Sequence, residues 1–133
     1  MKNKAYEIHT KIWIEDDQGK MVFGVGQLKI LEAIDNEGSI SAAAKKMNMG
    51  YRSMWGKLKK MEQRLGKQVL IRKKGGISGG ASVLTSEAKI LVEKFRHLQQ
   101  KINLDANNAL DEIGLRPLIT PNRKDITNLL DKP

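Results

Sequence analysis

The sequence contains no cysteine, which excludes disulfides and thiolate-ligated metal centres. It has no apolar run long enough to cross a bilayer, since a spanning helix needs about 20 predominantly apolar residues. The N-terminal stretch MKNKAYEIHTKIWIE has two early lysines but no unbroken apolar segment, so it does not read as a secretory signal. A cytoplasmic protein with no membrane partner is expected. His9 and His97 lack a second ligand at metal spacing, and Asp16 and Asp17 sit in a turn. No metal and no cofactor are therefore expected. There is also no nucleophile–base pair and no pair of carboxylates in a glycine-bounded pocket, so enzymatic activity has no support.

The most informative scarcity is that of negative charge in the middle of the chain. Residues 39–86 hold eleven Lys or Arg and one acidic residue, Glu62. Residues 1–38 and 87–133 are close to balanced, so this segment carries essentially all of the net charge of +9. A surface built only for solubility would mix its signs, because a one-signed field repels itself. Localised positive charge favours a polyanionic partner.

The 133 residues, 40% of them apolar, suit one modest core with an appendage. EIHTKIWIE alternates with period two and predicts a strand; DDQG is a turn, and KMVFG a returning strand. From Val25 the spacing becomes helical, through Leu28, Leu31 and Ile34, until Gly38 stops it. Ser39 or Ser41 can cap a short alanine-rich helix. Asn48 can turn the chain through the left-handed region at little cost. A third helix runs from near Gly50 to Gly66 with Met54, Leu58, Met61 and Leu65 as its apolar stripe. KQVLIRKK and ASVLT read as paired strands around GGISGG, a loop with four glycines in six residues that fits no nucleotide-binding fingerprint. Thr85 or Ser86 opens a long helix with apolar positions through Ile113, which a break near Leu104 would divide. The last segment, with all three prolines, reads as a loose tail with a turn of helix at Ile126–Leu130.

Two helices joined by a tight turn form a helix-turn-helix, and the following strand pair makes a wing. The expected fold is α+β, mainly α: a winged helix-turn-helix with a leading β-hairpin (1–85), a long dimerisation helix (86–113) and a loose tail (114–133). The outward face of the third helix suits the major groove of duplex DNA. Arg52 lies where base-reading residues sit, and Lys57, Lys60, Lys67 and Arg72 suit phosphates. The expected DNA-contacting set is Ser41, Tyr51, Arg52, Ser53, Trp55, Gly56, Lys57, Lys59, Lys60, Arg72, Lys73, Lys74 and Ser78. Gly75, Gly76, Gly79 and Gly80 shape the wing. Tyr51 and Trp55 admit either DNA contact or inward packing. Leu91, Phe95, Leu98 and Ile102 are the expected homodimer seam.

GSISAAAKKMNMGYRSMWGKLKKMEQRLG, followed by VLIRKKGGISGGASVLTSEAKIL, resembles the DNA-binding half of ModE-type molybdate-responsive regulators. The matching features are Gly38–Ser41, Tyr51–Trp55, the double-glycine wing Gly75–Gly80, and Leu84–Thr85 leading into the linker helix. LysR-type regulators are similar through the helix-turn-helix and linker helix but normally lack the leading hairpin and that wing. The resemblance, over roughly residues 20–105, implies a transcription regulator that binds double-stranded DNA as a dimer. It does not extend to the family's molybdate pocket, because about 28 residues after Asp105 are too few for a compact β module. The partners expected with the resemblance include a separate sensor or oxyanion-binding protein. The alternative is an architectural protein that coats nucleic acid without sequence preference, or an adaptor for such a partner.

Overall fold

In chain order the elements are β1 (Trp13–Glu15), β2 (Met21–Gly24), α1 (Val25–Glu37), α2 (Ile40–Lys46), α3 (Tyr51–Leu65), β3 (Leu70–Lys73), β4 (Ala81–Leu84), α4 (Ser86–Glu112) and α5 (Arg116–Ile119). The computed structural model describes residues 6–73, 81–122 and 129–130, with Lys73 described by its backbone only. The chain divides into two compact units, one Lys11–Leu98 and the other formed by Met1–Thr10 with Gln99–Pro133.

Within the larger unit, β1 and β2 pair as an antiparallel hairpin, and a register shift between Ile14 and Glu15 marks a bulge. Asp16 organises the turn: its Oδ1 accepts from the backbone N–H groups of Lys20 and Gln18, each at 2.9 Å. Those two donors, Lys20 first, hold its carboxyl below the usual range. Gly24 ends the hairpin where only glycine fits easily, since a Cβ there would lie 3.0 Å from the Cβ of Trp13. Its N–H donates to the side chain of Gln27, which supports the start of α1. Gly38 closes α1 in the left-handed conformation, φ 79°, a backbone geometry that glycine enters without steric penalty.

The core gathers one face of each element: Phe23, Leu28, Leu31 and Ile34, then Ala43 and Ala44, then Met54, Leu58 and Met61. Ala88, Val92 and Phe95 of α4 complete it. Phe95 meets Phe23 edge to face, ring centroids 5.0 Å apart, the arrangement that aromatic quadrupoles favour. The Phe95 ring is thus buried in the intrachain core. Leu91 is partly buried against the same core, whereas Leu98 is exposed.

The smaller unit explains why the N-terminal alternation yields so short a strand. Asn107 accepts from the N–H of Ile8 at 2.8 Å and donates to its carbonyl at 3.0 Å. Asn103 accepts from the N–H of Thr10 at 3.0 Å, and Gln99 donates to the Thr10 carbonyl at 3.1 Å. Residues 8 and 10 thus keep an extended backbone but pair with amide side chains spaced four apart on a helix, not with another strand. The same contacts account for the continuity of α4 past Leu104. Asparagine is a modest helix former, and here the amides of Asn103 and Asn107 are fixed by tertiary partners. Arg116 donates from Nη1 to the Tyr6 carbonyl at 2.5 Å and pairs with Asp111 through Nε at 2.7 Å. The segment read as a loose tail therefore begins with an anchored turn of helix, α5. Of the turn expected at Ile126–Leu130, only Leu129 and Leu130 lie among the described residues, and they are helical.

Phe95→Ala should lower the unfolding free energy by about 3–5 kcal/mol. Urea denaturation at several protein concentrations checks this: a core residue gives a loss independent of concentration, and a purely dimeric contact does not.

Candidate nucleic-acid interface

The helix-turn-helix is set by three local devices. Ser39 is the N-cap of α2, its hydroxyl accepting from the Ala42 N–H at 3.0 Å, which decides between the two candidate serines. Ser41 is exposed in the first turn. Ala43 and Ala44 are buried, and so small a contact lets helices pack closely. Asn48 adopts φ 55° and is the one non-glycine residue with positive φ among those described. The N–H of Met49 then returns to the Ala44 carbonyl at 2.8 Å, which closes the turn and launches α3.

On α3 the buried side is Met54, Leu58 and Met61. At 100° per residue, Arg52, Gly56, Lys59, Lys60 and Gln63 lie on the opposite side, and all are exposed. Ser53 and Lys57 flank that face and are exposed as well. Added bulk at Gly56 would meet nothing within 4 Å, so the middle of this face is open to close approach. The cations are unneutralised. Among the described residues the ion pairs are His9–Glu7, Lys67–Glu87, Arg96–Glu32, Lys101–Asp105 and Arg116–Asp111. None involves Arg52, Lys57, Lys59, Lys60 or Arg72. Arg64, absent from the expected set, is tied back to the hairpin by donating to the Met21 carbonyl at 2.7 Å.

The wing strands β3 and β4 pair in register from Leu70↔Leu84 to Lys73↔Ala81. β3 is also joined to α3 at two places. Glu62 accepts from the Val69 N–H at 2.9 Å, and the Arg72 guanidinium stacks 3.4 Å from the centre of the Trp55 ring. Seven residues separate the two points on α3 and three separate Val69, just before β3, from Arg72, which is about 10 Å in each case at helical and strand rises. The strand thus runs antiparallel beside the recognition helix. Glu62, the one acid in the basic third, serves this join. Its role was not legible in the sequence because its partner is a backbone N–H, which leaves no residue signature. The side chain of Lys73, and Lys74, Gly75, Gly76, Ser78, Gly79 and Gly80, lie outside the described residues.

Trp55 is half-buried and donates its indole N–H to the Tyr51 hydroxyl at 3.0 Å, with the Lys59 ammonium 5.2 Å from the ring centre. Trp55 packs between α3 and the wing strand. Tyr51 is half exposed.

A short capped helix, a left-handed turn, a second helix with a bare cationic face and a strand pair beside it define a helix-turn-helix DNA-binding domain. Residues 25–89 match the family described as bacterial regulatory helix-turn-helix protein, lysR family. The segment is similar to LysR-type helix-turn-helix domains, and the ModE-type resemblance is borne out by named relatives. The molybdenum transport protein ModE of Azotobacter vinelandii is 31% identical over 68% of this chain and 32% of its own length. The DNA-binding transcriptional dual regulator ModE of Escherichia coli K12 is 32% identical over 76% of this chain and 38% of its own. The chain thus spans about a third of the length of these relatives. Among solved structures, ArgP from Mycobacterium tuberculosis is 24% identical, with a TM-score of 0.43 over 65% of this chain and 29% of that one. The matched family is one of bacterial regulatory proteins, and the Escherichia coli relative is a DNA-binding transcriptional regulator.

Asn48→Gly should leave stability nearly unchanged, whereas Asn48→Val should cost about 1–2 kcal/mol or more, because a β-branched residue resists the left-handed conformation. Thermal unfolding of the two variants separates the cases.

Proposed function

We propose that this chain binds duplex DNA in a sequence-dependent manner as a homodimer and regulates transcription, with α3 in the major groove. The observation that supports it is the outward face of α3, where Arg52, Lys59 and Lys60 are exposed without acidic partners among the described residues. Arg52 sits in the first turn of the helix, from which a guanidinium reaches a guanine edge bidentately. Lys57, Lys60 and Arg72 meet phosphates, which set register without reading sequence. The dimer seam in this reading uses Leu91, Leu98 and Ile102 of α4, without Phe95. A twofold dimer then places its two α3 helices on half-sites about one helical turn apart, or a multiple of it.

The protein acts in the cytoplasm, without catalysis and without a bound cofactor. A separate sensor or oxyanion-binding protein is a further partner in this reading. Sequence-independent coating of nucleic acid is the competing reading, and competition against random duplex decides between the two. A protected site that survives excess competitor supports regulation, and loss of protection supports coating.

Two variants separate base reading from phosphate binding. Arg52→Ala should relax base preference at one position per half-site, by about 1–3 kcal/mol of discrimination. Lys60→Ala should weaken all sequences alike and lower the slope of log affinity against log salt by about one for each phosphate no longer held. For the parent protein, affinity should fall on the order of 10³-fold or more between about 50 and 200 mM salt, if the dimer binds roughly 6–10 phosphates. Gel-shift titrations across that range test all three, and a flat salt response would overturn the proposal.

A further inference from the structure

Trp55 touches two elements and has one polar atom. That atom, the indole N–H, already donates to the Tyr51 hydroxyl at 3.0 Å. The ring lies 3.4 Å from the Arg72 guanidinium carbon. An indole has a donor and no acceptor, so Trp55 retains no hydrogen bond to give to a base or a phosphate. Both of its partners, by contrast, keep theirs. The Tyr51 hydroxyl accepts from the indole, which leaves its own O–H free to donate outward. A guanidinium stacked on an aromatic face presents its N–H groups at its rim, where they still point away from the ring. Arg72 is exposed and has no acidic partner among the described residues.

We infer that Trp55 is a positioning residue which joins the recognition helix to the wing strand, holding the Tyr51 hydroxyl and the Arg72 guanidinium as two fixed donors to the phosphate backbone of bound DNA. This rests on the DNA-binding reading above and adds to it a division of labour: Tyr51 and Arg72 touch the duplex, and Trp55 acts only through them. The physical gain is preorganisation. An exposed arginine loses rotamer freedom when it binds, a cost of about 0.5–1.5 kcal/mol per immobilised side chain, and stacking on Trp55 removes much of that freedom beforehand. The Glu62–Val69 bond, at 2.9 Å, anchors the other end of the same strand. Arg72 therefore has a defined place along α3 even before DNA arrives.

A double-mutant cycle is the test. The probe is a duplex selected by the parent protein from a random-sequence pool. Arg72→Ala and Trp55→Ala should each weaken binding on the order of ten-fold and lower the salt slope by about one per protomer. The double variant should be no weaker than the worse single one, because Trp55 acts through Arg72. Trp55→Phe should keep the Arg72 stack and its salt slope while losing the hold on Tyr51, and so match Tyr51→Phe in affinity. Losses that multiply in the double variant would mean that Trp55 contacts DNA itself, and parent-like binding by Trp55→Ala would mean that it positions nothing. Either result overturns the inference.

A second measurement needs no DNA. In a Trp13→Phe background the remaining indole is Trp55, and its emission should shift to the red when Arg72→Ala or Tyr51→Phe is added. Unchanged emission overturns the coupling. Failure of the parent protein to select any duplex would instead overturn the DNA reading and leave the emission result standing, so the two failures are distinguishable.

Discussion

The structure depends on one anchored helix. Burying Met54, Leu58 and Met61 contributes about 1.5–3 kcal/mol for each side chain. Against this stands the mutual repulsion of Lys57, Lys60 and Arg64, which follow one another at three- and four-residue intervals. Like charges at that spacing cost only about 0.2–0.5 kcal/mol per pair on an exposed helix. Burial wins by a wide margin, so α3 can hold a face of one sign without losing its place. That repulsion persists in the free protein and is relieved only by an anion from outside. The interface is accordingly a surface kept mildly unfavourable by a core strong enough to tolerate it.

Every neighbour of α3 contributes to that anchoring. α1 and α2 supply the apolar floor through Leu31, Ile34, Ala43 and Ala44. The hairpin fixes the C-terminal end, where the Met21 carbonyl holds Arg64. The wing strand fixes one flank, through Glu62 and Val69 at one end and Trp55 and Arg72 at the other. None of these contacts covers the side carrying Arg52, Gly56 and Lys59. The polar ones each join α3 to an element from a different part of the chain, so the helix is held in position and not merely in conformation.

Much of this was legible in the residue pattern. The stripe Met54–Leu58–Met61 fixed which side of α3 is buried, and hence which side is bare. Asn48 marked the left-handed turn, Gly38 the end of α1, and the run of cations around a lone Glu62 the polyanion-facing segment. These follow from local geometry and periodicity, where a residue's own shape or its spacing within one element carries the information. Two sets of contacts were not legible, for a shared reason. Phe95 lies on the same stripe as Leu98, and helical spacing cannot say what an apolar face meets; the Phe95 ring meets Phe23, 72 positions earlier. Ile8 and Thr10 have the alternation of a strand, but Asn103 and Asn107 took their backbone groups.

The sequence by itself therefore determined the order of elements, the turn at Asn48 and the sign and place of the charged face, because each is a property of consecutive residues. Only the tertiary structure decided which partners complete them: Glu62 with a backbone N–H, Trp55 between Tyr51 and Arg72, and the amides of α4 along residues 8–10. Hydrogen bonds to main-chain groups and stacking across distant segments leave no periodic trace, since every residue carries a backbone and any exposed arginine can reach a ring once folding brings it near.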